Sequence, residues 1–216
     1  ALAEDAADLV MIDYAPLEAV ARPERAIKDS APQLWPEAPN NILLDWDTGD
    51  KDAVDIAFKK AKYRVRLDTR NNRLMVSALE PRAAIGRLEA GRLTLYACSQ
   101  GVMTMHTQLS KHALKLDDPS NLRIVSGDVG GGFGMKTQAY PEYPVILRAA
   151  ERLKRPVKWV GTRTESFASD NSARDSQLTA ELALDEDGII LALRYRSIQG
   201  MGAYLSASGP SSPTAP

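Results

Sequence analysis

Leu122-Arg123-Ile124-Val125-Ser126-Gly127-Asp128-Val129-Gly130-Gly131-Gly132-Phe133-Gly134-Met135-Lys136 reads as a strand running into a glycine-rich turn. A helix-like run beginning at Pro141 leads away from it. Four glycines surround one aromatic, and without Cβ atoms they let main-chain N–H groups approach a ligand and adopt positive φ. A strand–glycine–helix arrangement suits an anionic or densely hydrogen-bonding ligand. Met135 separates Gly134 from Lys136, so the spacing of a P-loop fails. Counting from Gly130, the sixth position is Met135, so the dinucleotide fingerprint fails as well. There is no Gly-x-Ser-x-Gly elbow. On residues alone, a turn whose glycines only permit tight packing remains the alternative.

Outward from this stretch, alternation and turn chemistry predict strands at Tyr63–Leu67, Ala83–Leu88 and Leu93–Cys98, with a hairpin turn at Glu89-Ala90-Gly91. Pro156–Val160 and a second hairpin, Leu178–Leu184 with Ile189–Tyr195 about Asp187-Gly188, follow. Helices are predicted from Asp50, as N-cap, to Ala61, from Val102 to Leu114, and from Pro141 to Leu153. In the second, Val102, Met105, His106, Leu109 and Ala113 share a stripe, which makes His106 a core-edge residue and Met103 and Met105 core fillers. Tyr63–Leu67 alternates as a half-buried strand should. Ahead of these lie a helix-like run to Asp8, a short strand Leu9–Tyr14, a turn of helix near Leu17–Val20, and a polar stretch with Pro16, Pro23, Pro32, Pro36 and Pro39. Another strand is predicted at Ile42–Trp46. Residues 1–40 are expected to be the tail of a preceding domain with a proline-rich arm, 41–205 the compact domain, and 206–216 a truncated loop. The fold class is α+β: a mixed sheet with flanking helices.

Charged residues make up 25% and apolar ones 44% of 216 residues, with a formal net charge of -1. That balance lacks the basic excess of nucleic-acid binders. No apolar run is long enough to span a membrane. One cysteine, Cys98, and two histidines cannot form a Cys/His zinc site; Cys98, in an apolar strand, is expected to be a buried structural thiol. Few side chains here do chemistry unaided, so catalysis would fall to a bound cofactor.

Asp128-Val129-Gly130-Gly131-Gly132-Phe133-Gly134-x-Lys136 resembles the glycine signature of the molybdenum hydroxylases, the xanthine dehydrogenase and aldehyde oxidase family. The version here is most similar to the large subunits of aerobic-type carbon monoxide dehydrogenases. Further motifs resemble the family in order: Asn71-Asn72-Arg73-Leu74 with Glu80-Pro81-Arg82-Ala83, Ser99-Gln100-Gly101, Arg155–Trp159, Thr162-Arg163-Thr164-Glu165, Arg174-Asp175, and Glu181–Gly188. The resemblance spans about Asn41 to Leu205. It implies a molybdopterin-binding domain whose molybdenum is held by the pterin dithiolene, in bacteria usually as the cytosine dinucleotide. It implies hydroxylation of an aldehyde or heterocycle, or oxidation of CO, with water as oxygen source. Electrons would leave through an iron–sulfur small subunit and an FAD medium subunit, in a cytoplasmic dimer of heterotrimers.

The resemblance places Gln100 beside the metal's apical oxo ligand. It gives Gly131, Gly132, Phe133 and Gly134 to the cofactor through their amides, with Phe133 walling the substrate side. Gln100 and Phe133 are thus the catalytic candidates, and no residue here is expected to ligate the metal. Lys136 reads either as an anion ligand or as a solvated lysine at a helix start. Arg163, Arg174 and Asp175 are expected to form a structural ion pair, and Glu80 to be structural beside Arg82. Met135 replaces the second glycine of the usual Phe-Gly-Gly-Lys and is expected to reshape the pocket entrance. The family's catalytic glutamate and substrate loop fall outside this chain, so the chain alone is expected to be inactive. The alternative is a non-enzymatic module that binds a phosphate-bearing ligand, or an interaction domain with structural glycines.

Overall fold

The computed structural model describes residues 2–206; the loop expected at 206–216 lies, after Ser206, outside the described residues. The chain divides into two compact units, Ala1–Gly49 and Asp50–Pro216.

In the first unit, α1 (Leu2–Asp8) forms as expected. Leu9–Tyr14 is not a strand: its residues are exposed and unpaired by any ladder, because no neighbouring strand lies within the unit. The helical turn comes at α2 (Pro23–Ala26) and not at Leu17–Val20, since Pro23 supplies the preset φ of a first helical position. Side chains then substitute for a ladder. Asn41 Nδ2 donates to Ala26 O (2.9 Å) and Pro32 O (3.0 Å), and its Oδ1 accepts from Leu34 N (2.8 Å). Asn-centred turns thereby compete with the strand that Ile42–Trp46 predicts, and none forms there.

The second unit is α+β, as expected. Helix α3 (Lys51–Lys60) is capped by Asp50, whose carboxylate accepts from Ala53 N at 2.9 Å. It lies on a three-stranded antiparallel sheet of β1 (Tyr63–Asn71), β8 (Ser176–Leu184) and β9 (Ile190–Gln199), in the order β1-β8-β9. The β8–β9 hairpin closes on an Asx turn in which Asp185 Oδ1 accepts from Asp187 N and Ile189 N. On its α3 side Ala183 is buried, and the Arg194 guanidinium covers the Phe58 ring at 4.3 Å. On the other side Val65, Leu182 and Leu193 lie in register, and Val65 and Leu193 are exposed. The alternation of Tyr63–Leu67 thus marks a strand, but not a half-buried one.

The four-stranded sheet has the order β5-β4-β3-β6, from β3 (Ala83–Glu89), β4 (Arg92–Ala97), β5 (Leu122–Val125) and β6 (Val157–Val160). The β3–β4 hairpin turns on Ala90 and Gly91, both at positive φ as a two-residue primed turn requires. Strands β4 and β5 are parallel, and the others antiparallel. Helix α5 (Glu142–Leu153) packs Tyr143, Ile146, Leu147 and Ala150 onto one face of this sheet, while Leu153 of the expected stripe is exposed. The helix meets the sheet at Gly86, where a Cβ would lie 2.8 Å from Ile146 O. Because that contact is backbone, Gly86→Ala is expected to cost about 1–3 kcal/mol through overpacking, read as a lower urea midpoint.

The crossover from β4 to β5 begins as α4 (Val102–Thr107) and continues as a π turn over Gln108–Ala113. The wider turn advances the stripe by one residue. Leu114 donates to Leu109 O at 2.8 Å and is buried, whereas Ala113, expected on the stripe, is exposed. Met105 fills the core as expected, but Met103 is exposed. His106 Nε2 lies 3.1 Å from Pro119 O and 3.2 Å from Leu122 O, a core-edge position. Cys98 is half-buried, its Sγ 3.8 Å from both Pro81 O and Ala83 O. Two short elements, β2 (Leu74–Met75) and β7 (Ser172–Ala173), pair with each other, and α6 (Arg163–Ser169) precedes β7. Among the described residues no helix is long and apolar enough to cross a membrane.

Candidate functional site

Because β4 and β5 are parallel neighbours, the chain leaves both at the same end of the sheet. Gln100 follows β4, and the glycine segment follows β5. This is the carboxyl-end position at which open sheets collect ligands. Ser99 and Ser126 staple the two strand ends: Ser99 N donates to Ser126 Oγ (3.1 Å), which donates to Ser99 O (3.3 Å). Gln100 N then donates to Lys136 O at 3.0 Å, which ties the far end of the glycine segment to β4.

Between those ties the backbone reverses repeatedly, with φ of +92° at Gly131, +51° at Phe133 and +91° at Gly134. Phe133 is 77% exposed. An aromatic residue that is both left-handed and solvent-facing is a strained arrangement of the sort that gathers at ligand sites. Among the described residues, the amides of Gly131, Gly132 and Phe133 have no hydrogen-bond acceptor. Gly134 differs from its expected role, because its N–H donates to Gln100 Oε1 at 3.0 Å. Lys136 N donates to the same oxygen at 3.2 Å. Two backbone donors can be met only by the carbonyl end of the carboxamide. Gln100 therefore turns its Oε1 to the loop, and its Nε2 donor has no acceptor among the described residues. Gly132 gives this side chain its room, since a Cβ there would overlap Gln100 Cδ and Oε1.

Several neighbouring side chains differ from expectation. Met135 is buried in the core and not at a pocket entrance, because the turn at Gly134 aims it inward. Lys136 is neither a ligand arm nor solvated: it is 0% exposed, and its Nζ lies 2.7 Å from Glu80 Oε2. Glu80 is structural, but its partner is Lys136 and not Arg82. The ammonium of Lys136, and to a lesser degree the amide of Gly130, outweigh partial burial and hold the Glu80 carboxyl below its ordinary 4.5. A carboxyl depressed on folding contributes its stabilisation above the ordinary value and loses it as pH falls through the lower folded one. Asp175 pairs with Arg73 (2.9 Å) and Arg70 (3.5 Å), not with Arg163 or Arg174. Arg163 instead donates to Ala78 O and Leu79 O, because α6 starts beside that loop. Its N-terminus carries a capping box, Thr162 with Glu165.

Arg82 is the largest fully buried side chain among the described residues. It donates to Asp170, to both oxygens of Glu142 and to Ser169 Oγ, and lies 3.7 Å from the centre of the Tyr140 ring. Its conjunction with Asp170 is invisible in sequence, where 88 positions separate them. A shallow groove of about 220 Å³ opens beside the leading end of the loop, lined by Glu80, Tyr96, Cys98, Gly127, Asp128 and Trp159 among others.

Unpartnered amides, an unpartnered carboxamide donor on Gln100 and an exposed aromatic can together take a polar ligand with hydrogen-bond acceptors. Among the described residues no three His, Cys, Asp or Glu side chains are grouped to hold a metal ion.

The family model for the molybdopterin cofactor-binding domain matches residues 34–215. The carbon monoxide dehydrogenase large chain of Hydrogenophaga pseudoflava is 34% identical over 223 residues, covering 97% of this chain and 28% of that protein. The 6-hydroxypseudooxynicotine dehydrogenase complex subunit gamma of Paenarthrobacter nicotinovorans is 34% identical, over 97% of this chain and 26% of its own length. Among solved structures, reconstituted CO dehydrogenase from Oligotropha carboxidovorans superposes with a TM-score of 0.82 at 31% identity, covering 91% of this chain and 26% of the other. The chain spans about a quarter of the length of these relatives. It belongs to the molybdopterin cofactor-binding domain family, as a large-subunit domain of the molybdenum hydroxylases.

Proposed function

We propose that this chain forms one side of the molybdenum-cofactor site in an enzyme that oxidises CO, an aldehyde or an N-heterocycle, with water as oxygen source. The cofactor, in our reading the cytosine dinucleotide form, would supply the redox chemistry when bound. The chain's own residues do three things. Gln100 Nε2 donates a hydrogen bond to an electronegative atom of the bound group, adding no charge beside the metal. The amides of Gly131, Gly132 and Phe133 receive its polar edge, while Gly134 serves indirectly by fixing Gln100. The Phe133 ring walls the substrate side and excludes water. Residues 41–205 carry this function; an Fe–S subunit and an FAD subunit would take the electrons, in a dimer of heterotrimers. By itself this chain is expected not to turn over.

The observation that carries the reading is the fixed carboxamide: its oxygen is doubly engaged by the glycine loop, so its Nε2 donor is the function left for a ligand. The test is metal and pterin analysis of the full-length protein, made with its partners in a cofactor-competent host. Near-stoichiometric molybdenum and pterin are expected. Gln100→Ala should retain the metal but lower kcat by roughly tenfold to a hundredfold, the usual effect of losing a hydrogen-bond partner around a metal. No molybdenum in the wild-type protein would end this reading. An unchanged kcat would remove Gln100 from the site.

A further inference from the structure

We propose that Glu80 and Lys136 are positioning residues, a clasp that draws together the two ends of the glycine loop and so aims Gln100 at its ligand. The proposal rests on the cofactor reading for what Gln100 faces, but the clasp itself is defined by geometry.

The loop begins at Gly130 and ends at Lys136. At its start Glu80 makes a reciprocal pair: Glu80 N donates to Gly130 O at 3.1 Å, and Gly130 N donates to Glu80 Oε2 at 2.9 Å. At its end, the Lys136 ammonium reaches that same Oε2 at 2.7 Å. One carboxylate oxygen therefore joins residues six positions apart. Lys136 in turn holds Gln100 with both main-chain groups, its N–H on Oε1 (3.2 Å) and its C=O on Gln100 N (3.0 Å). The path from Glu80 to the carboxamide of Gln100 consists of three directly bonded residues. The closeness is built into the backbone, because a Cβ on Gly130 would lie 2.6 Å from Glu80 Cβ.

Stability alone does not explain the choice of charges. A buried ammonium is costly to desolvate, and a well-packed apolar replacement of an ion pair is often as stable. An apolar pair could not accept the Gly130 N–H, however, and a neutral acid would replace one acceptor site with a donor. An ionised carboxylate meets both loop ends at once. Charge-assisted bonds of this kind are short and directional, which suits positioning.

The test uses the full-length complex, carrying Lys136→Met or Glu80→Gln. The first keeps an unbranched apolar stem in the buried slot; the second is an isostere at a partly exposed position and guards against a failure to fold. Hydrogen exchange over residues 128–137 reports the loop whether or not cofactor is present. The molybdenum(V) EPR signature reports the environment of the metal. Exchange of the loop is expected to rise by about tenfold or more, as a loop freed to open locally would show. The EPR signature of the loaded fraction should shift, and kcat should fall by about tenfold or more at retained metal. Unchanged exchange would overturn the proposal, even with a lowered melting temperature. Faster exchange with an unaltered EPR signature and kcat would also overturn it, because the loop would then be held without being aimed. Absence of molybdenum and pterin from the wild-type complex would count against the cofactor reading instead, and exchange would still decide the clasp.

Discussion

Arg82→Ala is expected to cost about 3–5 kcal/mol of stability, because it breaks a buried charge network on one side only. Arg82 is 1% exposed and emerges at the start of β3. Its guanidinium donates to the Glu142 carboxylate through two nitrogens (2.8 and 3.2 Å), to Ser169 Oγ (2.9 Å), and to Asp170. It lies over the Tyr140 ring at 3.7 Å and near the Trp159 ring at 5.1 Å. These contacts connect the first turn of α5, the C-terminal end of α6 and strand β6 through one side chain. Burial pulls the guanidinium pKa down, but hydrogen bonds and charge from Glu142 and Asp170 outweigh it, so the net shift is upward and Arg82 stays charged at every accessible pH. Truncation would leave Asp170 buried without its cation. The measurement is urea denaturation of the 216-residue chain, in which the midpoint should fall sharply at a similar slope. Arg82→Lys should recover only part of the loss, since an ammonium cannot fork onto Glu142 while also bonding Asp170. A midpoint within error of wild type for Arg82→Ala would show that the network contributes nothing net.

Such a hub marks the limit of what the sequence discloses. Local chemistry is legible: Asp50 as a cap, Glu89-Ala90-Gly91 as a hairpin turn, Asp187-Gly188 as the β8–β9 turn, and the 3.6-residue stripe of α5. Each depends on residues a few positions apart. The glycine turn is legible from its own residues, but its meeting with Gln100 depends on β4 and β5 being parallel neighbours, and no local pattern encodes that. The burial of Lys136 is hidden from sequence for a related reason. A lysine after a glycine turn normally points to water, and only the approach of Glu80 from 56 positions away makes burial tolerable. Leu9–Tyr14 and Ile42–Trp46 have strand-like composition but no ladder partner within their unit, and β-propensity measures fit to neighbours more than backbone preference. In the crossover, the π turn moved burial from Ala113 to Leu114, a one-residue shift that a fixed 3.6 period cannot anticipate.

Gly132→Ala is expected to leave the fold nearly intact while lowering turnover of the loaded full-length enzyme by roughly a hundredfold, the scale associated with about 1 Å of misplacement at a reacting centre. Gly132 does not have positive φ, so alanine meets no backbone objection there. What it meets is Gln100, whose Cδ and Oε1 occupy the space of the new methyl group. The carboxamide must swing away, surrendering the N–H groups of Gly134 and Lys136 that fix its orientation. The bond from Gly134 is exposed, where water replaces the lost partner at modest cost, and only the bond from Lys136, a residue 0% exposed, is partly buried, so the melting temperature should drop by a modest amount. Gly134→Ala separates this steric effect from backbone strain. At φ +91° alanine is strained, but no atom lies within 4 Å of its Cβ and Gln100 is not displaced. The cost there should appear in stability, at about 1 kcal/mol or somewhat more, with a smaller loss of turnover. Function and stability would thus be affected in opposite order by two glycines two positions apart. Equal kinetic losses in the two variants, or a larger loss at Gly134, would mean that the loop acts through its backbone shape and not through the placement of Gln100.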